Sequence, residues 1–498
     1  MLARTPPQRS MDGLDDMYGG SLALLTDLYQ LTMACGYWKA GHSDREAVFH
    51  LTFRRPPFGG GYAIAAGIGP AIRFLERLQF RDDDLGYLSS LRDPAGNPLF
   101  PAEFLEVLRR FRFECTVDAV PEGSVVFAHE PIIRVIGPIL QAQLVETALL
   151  TLVNFQTLIA TKAARVCQAA RTAPVLEFGL RRAQGIDGGL AASRAAYIGG
   201  CVGTSNVLAG KLFGIPVRGT HAHSWVMFHR DELTAFRSYA HALPGNCTFL
   251  VDTYDTIAGV RHAITVGREL RAAGHEMMGI RLDSGDLAHL SIEARKLLDD
   301  AGFRGAKIIA SNDLDETLIS SLAEQDAQID SYGVGTKLVT GYDQPALGGV
   351  YKLGAYRDEA GQWHDAIKLS EQPIKISNPG VLQVRRLRRA GELAGDVIYD
   401  REAGFSGPAI HDIEHPELPA FTPAFDSADD LMVTMLERGQ RVREPDSLDD
   451  ARARASRELA MLSPRTRRFL NPQPYPVGLD DHVHGRKHQL IAEARARR

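Results

Sequence analysis

Apolar positions in the stretch LLTDLYQLTMACGYWKAG recur at helical spacing and stop at Gly41, which predicts an N-terminal helix. The next run, AVFHLTF, alternates as a half-buried strand does. The Pro/Gly-rich PPFGGGYAIAAG leads into a helix near residues 69–79, and strand-like runs follow at 117–120 and 125–136. A long helical pattern then covers roughly residues 140–170. Its most apolar part, 139–159, is broken by Gln141, Gln143, Glu146 and Asn154, which predicts a buried helix and not a membrane span. Strands and helices mix here without a repeat, so this first part is α+β. Residues 1–20, rich in Pro, Gly, Met and Asp and without periodicity, are expected to be a disordered, frayed terminus.

From about residue 174 a rhythm sets in: short apolar runs end on polar residues, and amphipathic stretches follow. PVLEFG ends near Glu177, and IPVRGTHAH reads as the next strand. CTFLVDTYD reaches Asp252 and Asp255, and GIRLDSGD reaches Asp283 and Asp286. KIIASND reaches Ser311, Asn312 and Asp313, and SYGVGTK reaches Thr336. Helices are expected at 256–273 and 287–301. Such βα repetition describes a parallel sheet or barrel whose chemistry sits at the C-terminal ends of its strands; the pattern leaves closed barrel and open sheet both open. After about residue 355 the rhythm stops. HDAIKLS, VLQVRRL and DVIYD read as short strands, a helix is expected at 449–461, and the tail NPQPYPVG is expected to wrap back. The expected division is 1–20, an α+β domain over 21–140 that C-terminal strands complete, a catalytic α/β domain over 141–355, and an extension over 356–498.

The strand ends supply candidate chemistry. RGTHAHSWVMFH holds His221, His223 and His229. Alternate residues of a strand share a face, so His221 and His223 read either as a metal-ligating pair or as one reactive imidazole beside a structural neighbour. In RLDSGDL, Arg281, Asp283, Ser284 and Asp286 converge on one strand end. Ser284 or Asp286 serves there as a helix cap, and the carboxylates suit ribose hydroxyls or a hard cation. A planar guanidinium at Arg281 suits a carboxylate or phosphate. YGVGTKLVTG offers Gly335, Thr336 and Lys337 as a small-residue turn with donors for phosphate, and Arg181 and Arg182 follow a strand end as an anion site. No Walker A or dinucleotide-binding glycine pattern is present.

Composition narrows the class. The net charge of −5 over 498 residues gives no reason to expect a nucleic-acid or membrane surface, and the basic VRRLRR reads as a solvated strand edge. Five scattered cysteines without a C-x-x-C pattern fit a reducing compartment, so a cytoplasmic protein is expected.

Taken in order, LLTDLYQLTMACGYW, FRRPPFGGGYAIAAG, LEFGLRRAQGIDGG, GTSNVLAGKLFGIPVRGTHAHSW, VRHAITVGRELRAAGHEMMGIRLDSGDL, SNDLDE, GVGTKLVT, PALGGVYKL and YPVGL make the chain resemble the nicotinate phosphoribosyltransferase family over nearly its whole length. The resemblance implies an irregular βα barrel with an α+β N-terminal domain and a C-terminal extension. It implies transfer of phosphoribosyl from phosphoribosyl pyrophosphate to nicotinate, coupled to ATP hydrolysis, with Mg²⁺, in a homodimer with shared active sites acting in NAD salvage. His223 matches the family's phosphorylated histidine, and His221 fills a variable position of the motif. Thr220 and Arg281 match nicotinate-site positions, Tyr29 a pyridine-stacking tyrosine from the partner subunit, and Thr336 a phosphoribosyl pyrophosphate position. Asp283 and Asp286 are the expected holders of ribose hydroxyls or Mg²⁺, and Arg181 and Arg182 of anionic groups. The competing readings are a nicotinamide or quinolinate phosphoribosyltransferase and, from another class, a metal-dependent barrel hydrolase using the His pair.

Overall fold

The computed structural model describes residues 22–496; the expectation for residues 1–20 lies outside them. Five strands precede the long helix Glu146–Ala169: β1 (Glu46–Phe53), β2 (Ala63–Ile64), β3 (Thr116–Ala119), β4 (Val125–Val126) and β5 (Ile133–Pro138). Six short ones follow: β6 (Val175–Glu177), β7 (Gly203–Thr204), β8 (Thr248–Leu250), β9 (Gly279–Leu282), β10 (Lys307–Ala310) and β11 (Ser331–Val334). The remainder are β12 (Gly349–Arg357), β13 (Trp363–Asp365), β14 (Leu382–Arg389), β15 (Glu392–Asp400), β16 (Ser427–Asp430), β17 (Val433–Glu437), β18 (Gln440–Arg441) and β19 (Val477–Leu479). The described chain divides into two compact units, one of residues Lys162–Pro345 and one of residues 22–161 with 346–496.

In the first unit β6 to β11 form one parallel sheet in the order β7-β6-β11-β10-β9-β8. Its strands are short apolar runs buried on both faces, as parallel strands covered by helices must be. The helices after β8, β9 and β10 start on side-chain caps: Asp255 accepts from Ala258 N, Asp286 from His289 N and Asp315 from Leu318 N. Asp255, Asp286 and Asp315 are therefore spent on capping, while Asp252, Asp283 and Asp313 at the same strand ends are not. The ladders end at β7 and β8, and a single further parallel bridge lies beyond β7. The expected strand IPVRGTHAH is reduced to one bridge, Val217 to Thr204, and His223 instead begins the helix His223–Phe228. Pro216 has no N–H to give a ladder, which limits pairing there. β7 is two residues long, too short to leave a periodic signal in the sequence.

In the second unit a seven-stranded sheet runs β13-β12-β1-β5-β3-β17-β18, so strands from both ends of the chain share one sheet and one core. A four-stranded sheet, β16-β14-β15-β19, lies in the same unit. The terminal helix Asp481–Ala496 left no amphipathic pattern, because among its side chains only Val483 and Lys487 are buried.

The solvated edge expected of VRRLRR is corrected here. β14 pairs with β15 on one side and β16 on the other, and Arg386 is wholly buried. Its guanidinium donates to Asp396 at 2.6 Å, to Glu458 at 2.9 Å and to the Val125 carbonyl at 2.8 Å. A buried charge persists only with such partners, and removing one leaves the others uncompensated. Arg386→Gln is expected to cost about 3–5 kcal/mol in urea unfolding. Arg389→Gln, on the exposed end of the same strand, should stay within about 0.5 kcal/mol.

Candidate active site

The site is built in the first unit, at the C-terminal ends of β8, β9 and β10. After β8 the chain reaches Asp252, whose Oδ2 accepts from Asp283 N at 2.9 Å and from the Ser284 hydroxyl at 2.6 Å. This ties the turn after β9 to the end of β8. Gly285 takes a φ of 77° in that turn, left-handed backbone that favours glycine. Asp283 is fixed from the other side by the Ser311 hydroxyl at the end of β10, which donates to its Oδ1. The next residue, Asn312, has a φ of 111°, an uncommon conformation of the kind concentrated at functional sites.

His223 faces this cluster. Its Nδ1 lies 3.1 Å from Thr253 Oγ1, and its Nε2 lies 3.7 Å from Asp283 Oδ2. The imidazole is 39% exposed, so it is oriented by two partners yet open to a ligand. Thr253 is a contact that sequence reasoning missed, although it sits in the VDTYD run that marked the strand end. Beside it, Arg281 donates from Nη1 to Thr220 Oγ1 at 2.6 Å. Its Nε is buried without a partner among the described residues, a donor left for a ligand. Burial lowers the Arg281 pKa, Asp283 and Asp252 oppose this, and Arg181 reinforces it, which places Arg181 in the same field. Arg181 and Arg182 are exposed on the turn Leu180–Arg182. Buried Glu177 holds that turn by accepting from Gly179 N and from the Ser193 and Thr204 hydroxyls. A Cβ on Gly179 would strike Val339 and the Gly335 carbonyl, so the ends of β6 and β11 meet only because this position is bare.

The H-x-H pair does not act as a pair. His221 is buried, and its Nε2 accepts the backbone N–H of Leu250 at 3.2 Å. Its Nδ1 lies 3.4 Å from the Ala222 carbonyl, which fixes the proton on Nδ1. Among the described residues no group of three or more His, Cys, Asp or Glu is placed to hold a metal, so the His-pair metal site is not formed. His229 accepts no such role either: its Nδ1 donates to the Trp225 carbonyl at 2.8 Å. Asp286 is the exposed cap of Leu287–Asp300, Ser284 is committed to Asp252, and Lys337 pairs with Asp315 at 2.6 Å. Thr336 opens the short helix Thr336–Val339 directly after Gly335. Tyr29 belongs to the second unit, 47% exposed on the helix Leu28–Lys39.

The second unit carries a basic cavity that the sequence did not reveal, lined by Arg54, His129, Lys352 and Lys375 together with His50 and Asn378. Its residues come from segments more than two hundred positions apart. Burial pulls Lys352 below the usual lysine range, with Glu146 opposing. The concentration of cations suits a phosphate-bearing ligand.

Burial lowers the His221 pKa to about 4, the Ala222 carbonyl opposes, and Arg281 and His223 add to the depression. An unfolded imidazole titrates near 6.5, so the unfolded chain takes up this proton first as pH falls. The contribution of His221 to stability is complete above that pH and is lost as pH falls toward 4. Urea unfolding across this window should therefore show a smaller pH slope for His221→Phe than for the parent chain, by up to one proton, or about 1.4 kcal/mol per pH unit.

Comparison with known proteins agrees with this architecture. Family models described as the nicotinate phosphoribosyltransferase N-terminal domain, family and C-terminal domain match residues 24–154, 174–368 and 384–487. The nicotinate phosphoribosyltransferase of Bacillus subtilis is 46% identical over 484 residues, covering 96% of both chains. The human enzyme of that name is 36% identical, covering 94% of this chain and 96% of its own. A crystal structure of human nicotinic acid phosphoribosyltransferase superposes with a TM-score of 0.81 at 34% identity, over 93% of this chain and 99% of that one. The chain belongs to the nicotinate phosphoribosyltransferase family.

Proposed function

We propose a division of labour among these residues for the family's reaction. That reaction transfers phosphoribosyl from phosphoribosyl pyrophosphate to nicotinate, giving nicotinate mononucleotide and pyrophosphate in NAD salvage. The observation that carries the assignment is Arg281, half-buried, bonded to Thr220, and left with a buried, unpartnered Nε among the described residues. A planar guanidinium with a free donor beside a hydroxyl is a receptor for the nicotinate carboxylate. Nicotinamide, lacking that charge, would leave the guanidinium uncompensated.

The pyridine nitrogen attacks the anomeric carbon of the ribose, the C–N bond forms, and the C–O bond to pyrophosphate breaks with its electron pair leaving on oxygen. The attacking nitrogen carries no proton, so no general base is needed. Positive charge develops on the ribose, and Asp283, fixed by Ser311, is the carboxylate that stabilises it. Arg181, Arg182, Gly335 and Thr336 are assigned to the phosphate groups. Tyr29, from a second copy of the chain, is assigned to stacking on the pyridine. The exposed apolar side chains of Ile186, Met227, Phe228 and Tyr254 in the first unit support a homodimer with shared sites. Five cysteines without a disulfide support a cytoplasmic location, and no described helix is long and apolar enough to cross a membrane.

His223 is the residue assigned to accept the γ-phosphoryl group of ATP. Its phosphorylated form adds negative charge and strong acceptors opposite Asp283 and Thr253, which couples ATP hydrolysis to reorganisation of the site. The donors fit Mg²⁺: Asp252 Oδ1 is buried without a partner, and Asp283 Oδ2 faces outward to His223. Mg²⁺ needs only one or two carboxylates when waters and substrate phosphates complete its shell. Asp252 and Asp283 would hold it, and it would supply charge neutralisation for the departing pyrophosphate. Asp286, spent as a cap, is the weaker of the two expected holders.

The test is an assay of the full chain with nicotinate, phosphoribosyl pyrophosphate, ATP and Mg²⁺ for nicotinate mononucleotide. Turnover of nicotinamide in its place would overturn the reading. Arg281→Gln should raise the nicotinate KM by about 10–100-fold, the worth of one charge-assisted hydrogen bond, with a far smaller change for nicotinamide. His223→Ala should keep basal transfer while losing its stimulation by ATP.

A further inference from the structure

His221 is the only buried residue in the run 216–225, whose other members are exposed or half-exposed. Nearby Gly219 is exposed, and a side chain there would point into open space. Something must nevertheless hold this run still, because Thr220 and His223 both belong to it. The same run reaches both edges of the parallel sheet. At one edge Thr204 N of β7 donates to the Pro216 carbonyl at 3.0 Å, and Arg218 N donates to the Thr204 carbonyl at 2.9 Å. At the other edge stands β8, paired with β9 on one side and with no strand on the other. Leu250 of β8 is fully buried, so an unpaired N–H there is costly. The acceptor it finds is the imidazole of His221.

We infer that His221 is a positioning residue: its imidazole replaces a ladder hydrogen bond at the open edge of the parallel sheet and so fixes Thr220 and His223 on either side of it. Three rings hold its plane, Tyr239, Phe236 and Phe249, at centroid distances of 5.0, 6.0 and 6.4 Å. One residue before it, Thr220 donates to the His221 carbonyl at 3.2 Å while accepting from Arg281. Two residues after it, His223 meets Thr253. A single buried side chain thus sets the spacing between the group assigned to the nicotinate carboxylate and the group assigned to phosphoryl transfer. The titratable and charged groups around the ring are Tyr239 from the helix Glu232–Ala242, Arg281 from β9 and His223; the contacting residues of β8 are apolar. A proton on Nε2 would remove the acceptor, so the Nδ1–H tautomer is the working form.

The inference rests on the assignment of His223 and Arg281 made above, and its test separates the two. His221→Phe keeps an aromatic ring of similar size and loses the acceptor; His221→Gln keeps an acceptor at similar reach. His221→Phe should slow phosphorylation of the chain by ATP by about 100-fold, the cost of a displacement near 1 Å, and should narrow the nicotinate over nicotinamide preference. His221→Gln should recover most of both. A merely structural role would lower stability and leave the substrate preference where it was. Phosphorylation and preference unchanged in His221→Phe, or glutamine no better than phenylalanine, would overturn the inference. Should either variant fail to fold, nitrogen-15 NMR of the parent protein decides. His221 should show an unprotonated, hydrogen-bonded Nε2 and a protonated Nδ1 at neutral pH, and a protonated Nε2 would overturn the inference. That spectrum needs no substrate, so it stands even if the parent chain takes no phosphate from ATP, the outcome that would remove the phosphoryl-transfer role of His223 alone.

Discussion

Where a parallel strand ends its ladder ends, and every buried N–H beyond that point needs another acceptor. Among the described residues, side chains meet that requirement at several strand ends, and Glu177, Asp252 and His221 shape the site as they do so. Glu177 accepts Gly179 N and shapes the turn that carries Arg181 and Arg182. Asp252 accepts Asp283 N and sets the turn that presents Asp283. His221 accepts Leu250 N and anchors the run that carries Thr220 and His223. The polar groups needed to end the sheet are the scaffold on which the proposed site residues stand.

This explains why the site combines fixed and open groups. Asp283 is bonded through one oxygen and faces His223 with the other. Arg281 is bonded through Nη1 and keeps a free Nε. Each group is oriented by one protein contact and leaves capacity for a ligand, which is preorganisation without saturation. Transfer to an unprotonated ring nitrogen needs no general base, so an arrangement of carboxylates, guanidinium and a single accessible imidazole is sufficient for it.

Much of this was legible in the sequence, and the exceptions have physical causes. The βα rhythm marked β6 and β8 to β11 because each is an apolar run closed by a polar residue. It also marked IPVRGTHAH, where the structure has a single bridge, since period alone does not register the missing N–H of Pro216. Ser284 or Asp286 read as a cap, and Asp286 is one, but nothing in the sequence separated Asp255, which also caps a helix, from Asp252, which does not. The pattern alone left His221 and His223 open between a metal pair and one reactive imidazole beside a structural neighbour, and it carried no sign that His221 is buried. Arg386 looked solvated because its partners Asp396 and Glu458 lie on another strand and a distant helix. The basic cavity of the second unit joins distant segments, and nothing local signals such a meeting.

On this proposal the two histidines of HAH have unequal roles, His221 holding the sheet edge and His223 taking the phosphoryl group. The most direct measurement is to incubate the protein with ATP and Mg²⁺, digest it at alkaline pH to preserve acid-labile phosphate, and fragment the peptide spanning residues 219–229 by electron transfer. The phosphate is expected on His223, with His221 unmodified. Phosphate on His221, or ATP-stimulated product formation with no phosphate on this peptide, would contradict the account.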